Sequence, residues 1–199
     1  AALAPRRPPP SLHRLGLFDG VLAPVAAVDR ELLLADAHGV GRDLDELVAI
    51  DTHTHAEVSC CQPKDPWFEP YERAADKYFK NAHRPTIDET IAYYRERRIG
   101  LVMFAVDSES HIGNRRIANE EVAEAAAKNS DMMIAFASID PHKGRMGARE
   151  ARKLIEEYGV KGFKFHPTVQ GFHPQDRMAW PLYEVIAEYK LPAIFHSGH

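Results

Sequence analysis

The sequence predicts an α/β fold, a (β/α)8 barrel of which this chain contains about the first five strands. Predicted strands and helices alternate along the chain, which is typical of parallel sheets. The strands are nearly unbroken apolar runs, which indicates that both faces of the sheet are covered. Polar residues cluster where the strands end, the position at which such barrels carry their sites. An open doubly wound sheet is the alternative, although no glycine-rich phosphate-binding turn follows any strand.

We divide the chain into three parts. Residues 1–24 are rich in proline and arginine, and the run of three prolines from Pro8 excludes a helix there, so we expect an extended, mobile leader. Residues 25–47 form an N-terminal extension, and residues 48–199 form a partial barrel domain. Since a complete barrel typically takes about 250 residues, we expect three further strand–helix units to lie beyond residue 199.

The first elements follow from local patterns. The apolar run LVAI before Asp51 predicts strand one, and the proline-rich stretch 56–85 predicts a long loop with a helical turn near residues 71–79. Thr86 and Glu89 have the spacing of a capping box, which predicts a helix from there to about residue 98.

The remaining elements continue the alternation. The apolar segments LVMFAVD, MMIAFASID, VKGFKFHP and LPAIFHSGH predict strands two to five. Helices are predicted for residues 114–129, for residues 151–159 with Gly159 as the C-cap, and for residues 178–190.

Charge and cysteine content exclude several classes of partner. The formal net charge is −4 and no apolar run approaches about 18 residues, so we expect neither a nucleic acid nor a membrane partner. The two cysteines, Cys60 and Cys61, are adjacent, which argues against a disulfide framework and favours a cytoplasmic location. We interpret the pair as ordinary loop residues, with a metal or redox role as the minor alternative. Self-association into a homo-oligomer stays open.

Histidines recur at the ends of three predicted strands. In a strand, residues two apart project from one face, so Asp51, His53 and His55 are expected to share a side. Together with His196 after strand five, His53 and His55 give three imidazole ligands, a set that leaves a divalent metal an open position for water or substrate. We therefore predict one divalent ion, with Zn²⁺ expected, and a small-molecule substrate. If His53 and His55 are considered without His196, the alternative is that they are simply polar residues at the end of a strand.

Three further residues are predicted to lie on the substrate side of the metal. Lys164 and His166 lie two apart at the end of strand four and share a face, and His199 closes the chain after strand five. As an alternative, Lys164 and His166 could help to bind a second metal. Lys164 by itself could also be a lysine at the rim of the core whose charged end reaches solvent.

The segments IDTHTH, GVKGFKFHP and LPAIFHSGH together resemble the amidohydrolase superfamily, in the branch that contains aminocarboxymuconate-semialdehyde decarboxylase and γ-resorcylate decarboxylase. The resemblance spans Val48 to His199 and implies a metal-dependent, distorted TIM barrel. It implies that His53, His55 and His196 ligate a single Zn²⁺ or similar ion. A further histidine and a metal-binding aspartate would follow on strands six and eight, beyond residue 199, so no catalytic residue is predicted within this chain.

A closer similarity concerns the stretch from GVKGFKFHPTVQGF to LPAIFHSGH, which is similar to proteins described as 4-hydroxyphenyl-β-ketoacyl-CoA hydrolases. It implies hydrolytic carbon–carbon cleavage in the breakdown of an aromatic acid. The expected function is thus a metal-dependent hydrolase, in which metal-activated water attacks a carbonyl of an aromatic or carboxylate-bearing substrate. A non-oxidative decarboxylase (carboxy-lyase) and an inactive fragment are the alternatives.

Overall fold

In a computed structural model, the described part of the chain consists of parallel strands that are joined by helices. The structure describes residues 46–66, 69–78 and 84–197, except for the side chains of Tyr71 and Ala75. The predicted leader, nearly all of the N-terminal extension and His199 lie outside the described residues.

Strands and helices alternate within the described ranges, as the sequence predicts. The strands are β1 (Ala49–His55), β2 (Ile99–Phe104), β3 (Met133–Ala135), β4 (Phe163–Phe165) and β5 (Ala193–Phe195). The helices are α1 (Glu69–Tyr78), α2 (Ile87–Glu96), α3 (Glu109–Ile112), α4 (Asn119–Lys128), α5 (Gly144–Tyr158), α6 (Pro167–Gln170) and α7 (Trp180–Glu188). Within these ranges, no helix is long and apolar enough to cross a bilayer.

The strands pair in chain order. β1, β2 and β3 form one parallel sheet in that order, and β4 pairs in parallel with β5. The two sheets are joined beside β3, where Ala137 N donates to Gly162 O at 2.9 Å and Lys164 N donates to Ala137 O at 2.7 Å. Sequential parallel order matches a barrel, whereas a doubly wound sheet reverses its strand order at a switch point.

Several element boundaries differ from the predicted ones. The helix predicted from residue 114 begins at Asn119, because the Asn119 amide is used to bind the backbone of Ser138, accepting from its N–H and donating to its carbonyl, both at 2.9 Å. The short helices α3 and α6 follow β2 and β4, where no helix is predicted from the sequence. Helix α5 begins at Gly144 rather than at residue 151, but it ends at Tyr158, and Gly159 with a φ of 68° follows as the predicted C-cap.

The core lies between the strands and the helices packed on them. Leu101, Met103, Phe163 and Phe165 are fully buried there, as is Leu154 of α5. Burial of large apolar side chains on this scale is the main source of stability for such a sheet. It also fixes the direction in which neighbouring polar side chains of the same strands point.

The predicted capping box at the start of α2 is confirmed. Thr86 Oγ1 accepts from Glu89 N at 3.2 Å, and Glu89 Oε2 accepts from Thr86 N at 2.8 Å. We expect Thr86→Ala to lower the free energy of unfolding by about 1 kcal/mol, because one N-terminal amide loses its acceptor. Thr86→Ser keeps the hydroxyl and should retain most of the stability in urea denaturation. Equal losses in both variants would contradict a capping role.

Candidate metal centre

β1 places two imidazoles side by side. His53 Nε2 and His55 Nε2 lie 3.2 Å apart, and both rings contact the ring of Phe104 on β2 edge-on, with centroid separations of 5.4 and 4.9 Å. The side-chain direction follows from the strand, where residues two apart share a face. The prediction that His53 and His55 lie together is confirmed.

The prediction that Asp51 shares their face is wrong. The pairing of β1 with β2 shifts register between Asp51 and Thr54, which breaks the simple two-residue repeat. Asp51 Oδ2 instead accepts a hydrogen bond from the hydroxyl of Tyr94 on α2 at 2.7 Å. Its other oxygen accepts from the backbone N–H of His53 at 2.9 Å, so Asp51 supports the strand at the point where the histidines begin.

β4 adds a buried cation to the two imidazoles. Lys164 is fully buried, and its Nζ lies 3.3 Å from His53 Nε2 and 5.0 Å from the centre of the Phe104 ring. Burial lowers the pKa of Lys164 to about 8, because the charged ammonium loses hydration. Lys164 thus lies beside the histidines, and its ammonium is buried rather than solvated as in the core-rim alternative.

His166 and His196 meet at the ends of β4 and β5. Their rings stack with centroids 3.9 Å apart, and the His196 ring lies 6.1 Å from that of His53. His166 Nδ1 accepts from Val169 N at 3.4 Å, which ties this ring to α6. Within the described residues, the nitrogens of His53, His55 and His196 do not all lie within 4.8 Å of one another. The structure thus brings His196 next to the pair without closing a three-nitrogen cluster.

The surroundings lower the pKa values of His53, His55 and His166, which favours the neutral form of these three imidazoles. Burial, then the neighbouring His53, lowers the pKa of His55 to about 4. Burial, then His196, lowers the pKa of His166 to about 4, and burial together with Lys164 also lowers the pKa of His53. A neutral imidazole offers a nitrogen lone pair, which is the form that binds metal.

The distance between His53 Nε2 and His55 Nε2 can be compared with the spacing of two imidazole ligands on one metal ion. Two imidazoles at 2.0–2.1 Å from one tetrahedral ion place their nitrogens roughly 3.3 Å apart. His53 Nε2 and His55 Nε2 lie 3.2 Å apart. The pair therefore fits one divalent ion with little rearrangement, and the neutral donors fit the same chemistry.

A cavity of about 350 Å³ opens beside His55. It lies between the loop after β1 and the segment after β2, and its volume is within the usual range for small-molecule sites. Its wall carries both signs of charge, from Glu57, Lys64, Asp65, Glu72, Arg115 and Arg116. Sequence reasoning missed the two arginines. They lie in the segment after β2, whereas the long loop at residues 56–85 was a signal only for the facing wall of the cavity, because long loops in compact domains usually line sites.

Comparison with known proteins gives the family. Residues 50–199 match the family model described as Amidohydrolase. A crystal structure of 5-carboxyvanillate decarboxylase from Novosphingobium aromaticivorans, with bound manganese and a nitrobenzoic acid, superposes with a TM-score of 0.54 at 18% identity; the match covers 79% of this chain and 52% of that one. An amidohydrolase structure from Staphylococcus aureus superposes with a TM-score of 0.52 at 15% identity, over 75% and 47% of the two chains. No curated protein gave a significant match.

These matches agree with the predicted fold and family. At such low identity the solved structures show the fold alone, that of a TIM barrel, and this chain spans about half the length of each. The family match starts at Ile50, so it includes His53, His55, Lys164, His166 and His196. Since it covers most of the sequence, the chain belongs to the amidohydrolase family and forms part of its barrel.

Proposed function

We propose that this chain supplies the first part of the metal centre of a metal-dependent hydrolase that acts on a carbonyl of an aromatic or carboxylate-bearing small molecule. His53, His55 and His196 would hold one divalent ion. The observation that carries the proposal is the 3.2 Å spacing of His53 Nε2 and His55 Nε2. When bound, such an ion polarises a carbonyl and activates water at neutral pH.

The neighbouring side chains have separate tasks in this proposal. Lys164, buried 3.3 Å from His53, presents a cation to an electron-rich oxygen of the substrate. His166 stacks on His196 and so orients that ring toward the centre. Burial of Lys164 strengthens its attraction for an anionic group, because the local dielectric is low. His199 stays a proposed substrate contact that lies outside the described residues.

The cavity supports a substrate that carries a carboxylate or another anion. Arg115 and Lys64 line it with cationic side chains, and His55 connects it to the metal centre. Guanidinium groups bind carboxylates through paired hydrogen bonds. The aromatic part of the proposal comes from the likeness of residues 159–199 to 4-hydroxyphenyl-β-ketoacyl-CoA hydrolases.

Zinc is the metal we expect, because the three proposed ligands are all imidazoles, which suit zinc better than manganese. The 5-carboxyvanillate decarboxylase structure contains manganese. Dialysis of the metal-free Cys60→Ser/Cys61→Ser variant, which has no thiol ligands, against equal concentrations of both ions, followed by elemental analysis, should give zinc-loaded protein. Preferential retention of manganese would show that zinc is the wrong choice.

Non-oxidative decarboxylation is the second candidate, because the buried Lys164 beside His53 could equally hold the carboxylate that is lost. The two reactions differ in the fate of water. In ¹⁸O-labelled water, a hydrolase acting on 4-hydroxybenzoylacetyl-CoA should give acetyl-CoA and 4-hydroxybenzoate with one labelled oxygen. A decarboxylase should release CO₂ from 5-carboxyvanillate without uptake of label into the aromatic product's carboxylate.

For the whole protein to which this chain contributes, the expected result is labelled 4-hydroxybenzoate, and its absence in His53→Ala would link the reaction to the metal centre. CO₂ release alone would show that the hydrolase proposal is wrong and the decarboxylase correct. Turnover of neither compound by the metal-loaded protein would contradict both candidate reactions for these substrates and favour the inactive-fragment alternative.

A further inference from the structure

The loop that follows β1 brings two thiols next to a carboxylate, away from the histidines. Cys60 and Cys61 are exposed on this loop, and Glu121 lies in the first turn of α4. Their ligand atoms all lie within 4.8 Å of one another. Among the described residues, they are the only group of three or more histidine, cysteine, aspartate and glutamate side chains that meets this spacing.

Directed hydrogen bonds hold the three residues in place. Glu121 Oε2 accepts from Ser59 Oγ at 2.6 Å, and Glu121 Oε1 accepts from Cys60 N at 2.7 Å. Ser59 Oγ in turn accepts from the backbone N–H groups of Cys61 at 3.1 Å and Gln62 at 3.0 Å. This small turn directs both sulfurs to one side, 2.6 Å from each other. The carboxylate is therefore fixed beside the thiols by the fold.

We propose that Cys60, Cys61 and Glu121 form a second metal site that takes one thiophilic divalent ion of the zinc class. Thiolates and a carboxylate are ligands that zinc accepts in a tetrahedral set, with water in the fourth position. On binding, each thiol gives up its proton, so one ion forms two metal–sulfur bonds and releases two protons. This proposal is independent of the hydrolase function.

Both sulfurs can adapt to the ion. At a zinc–sulfur distance of about 2.3 Å, two thiolates on one tetrahedral ion lie roughly 3.8 Å apart. Because Cys60 and Cys61 are exposed, rotation about their side-chain bonds can reach this spacing without disturbing the core. Glu121 needs no movement of its helix, since Ser59 and the Cys60 backbone already hold it against the loop.

The position of the site suggests what the ion would do. Ser59 and Gln62, on either side of the two cysteines, line the cavity that opens at His55. An ion bound to the thiols and to Glu121 would fasten this wall of the cavity to α4.

Cadmium is a suitable probe, because its thiolate complexes absorb in the ultraviolet. We expect titration of the reduced full chain with Cd²⁺ to give a thiolate charge-transfer band that saturates at about one ion per chain. The band should be lost in Cys60→Ser and in Cys61→Ser. Glu121→Gln should keep the band but weaken affinity by roughly tenfold or more. His53→Ala serves as the matched control and should keep both band and affinity, since it alters only the histidine centre.

A readout on the unaltered protein keeps the proposal testable if a variant fails to fold. Bound Cd²⁺ should protect both thiols from alkylation by iodoacetamide, as mass spectrometry of the peptide that carries them would show. Absence of a band and of protection would overturn the proposal, as would a band that needs two chains per ion. Unchanged affinity in Glu121→Gln would overturn the three-ligand site. Rapid oxidation of Cys60 and Cys61 to a disulfide, at a rate that Zn²⁺ does not slow, would also overturn the proposal and would indicate redox chemistry instead.

Discussion

His53→Ala should abolish metal binding at the histidine centre. The substitution removes one of two nitrogens that lie 3.2 Å apart, a spacing that suits a single ion. We expect affinity to fall by at least about 100-fold, because loss of a direct ligand costs more than the 10–100-fold typical of residues behind the ligands. Elemental analysis and competition with a chelator measure the effect. Cys60→Ser/Cys61→Ser is the appropriate background, since it removes the second proposed site from the count.

The matched control is His173→Ala, which removes an exposed histidine that is not part of the centre and should leave metal content unchanged. His55→Ala should behave like His53→Ala. His196→Ala tests whether His196 is the third ligand, because the nitrogens of His53, His55 and His196 do not all lie within 4.8 Å of one another in the structure. Unchanged metal content in the His53 and His55 variants would remove the basis of the proposed function.

Asp107→Ala should be the most destabilising substitution near the ends of the strands. Asp107 is fully buried, and its Oδ2 lies 2.5 Å from Lys143 Nζ and 3.1 Å from Arg116 Nη1. The same oxygen accepts from Asp140 N at 3.1 Å. Without the carboxylate, Lys143, Arg116 and the backbone N–H of Asp140 each lose an acceptor. We therefore expect the free energy of unfolding to fall by about 3 kcal/mol.

Glu109→Ala provides a comparison with the same two cations. Glu109 is 37% exposed and lies 3.5 Å from Arg116 and 3.9 Å from Lys143, so its loss should cost less than about 1 kcal/mol. Urea denaturation of both variants against the parent protein measures the difference. Equal, small losses would show that the buried network adds little, because Glu150 can replace Asp107 as the partner of Lys143 and Arg116.

Features encoded by nearby residues could be predicted from the sequence. The capping box of Thr86 and Glu89 and the C-cap at Gly159 each depend on a few consecutive residues, and both are present as predicted. The placement of His53 and His55 on one face follows from the strand repeat in the same way. Parallel strands in chain order then bring the end of β4 toward β1, where Lys164 lies beside His53.

The tertiary structure decided what depends on residues far apart in the chain. Asp51 turns to Tyr94 because the sheet shifts register between Asp51 and Thr54, which no local repeat reveals. The proposed cysteine site depends on packing that places Glu121 beside Ser59, 62 residues away in sequence. Hydrogen bonds between neighbours along the chain are set by local spacing, whereas contacts across the barrel are set by how whole strands and helices pack. The sequence alone therefore determined the family, the strand order and the histidine pair; the neighbours of each charged or metal-binding side chain were decided by packing.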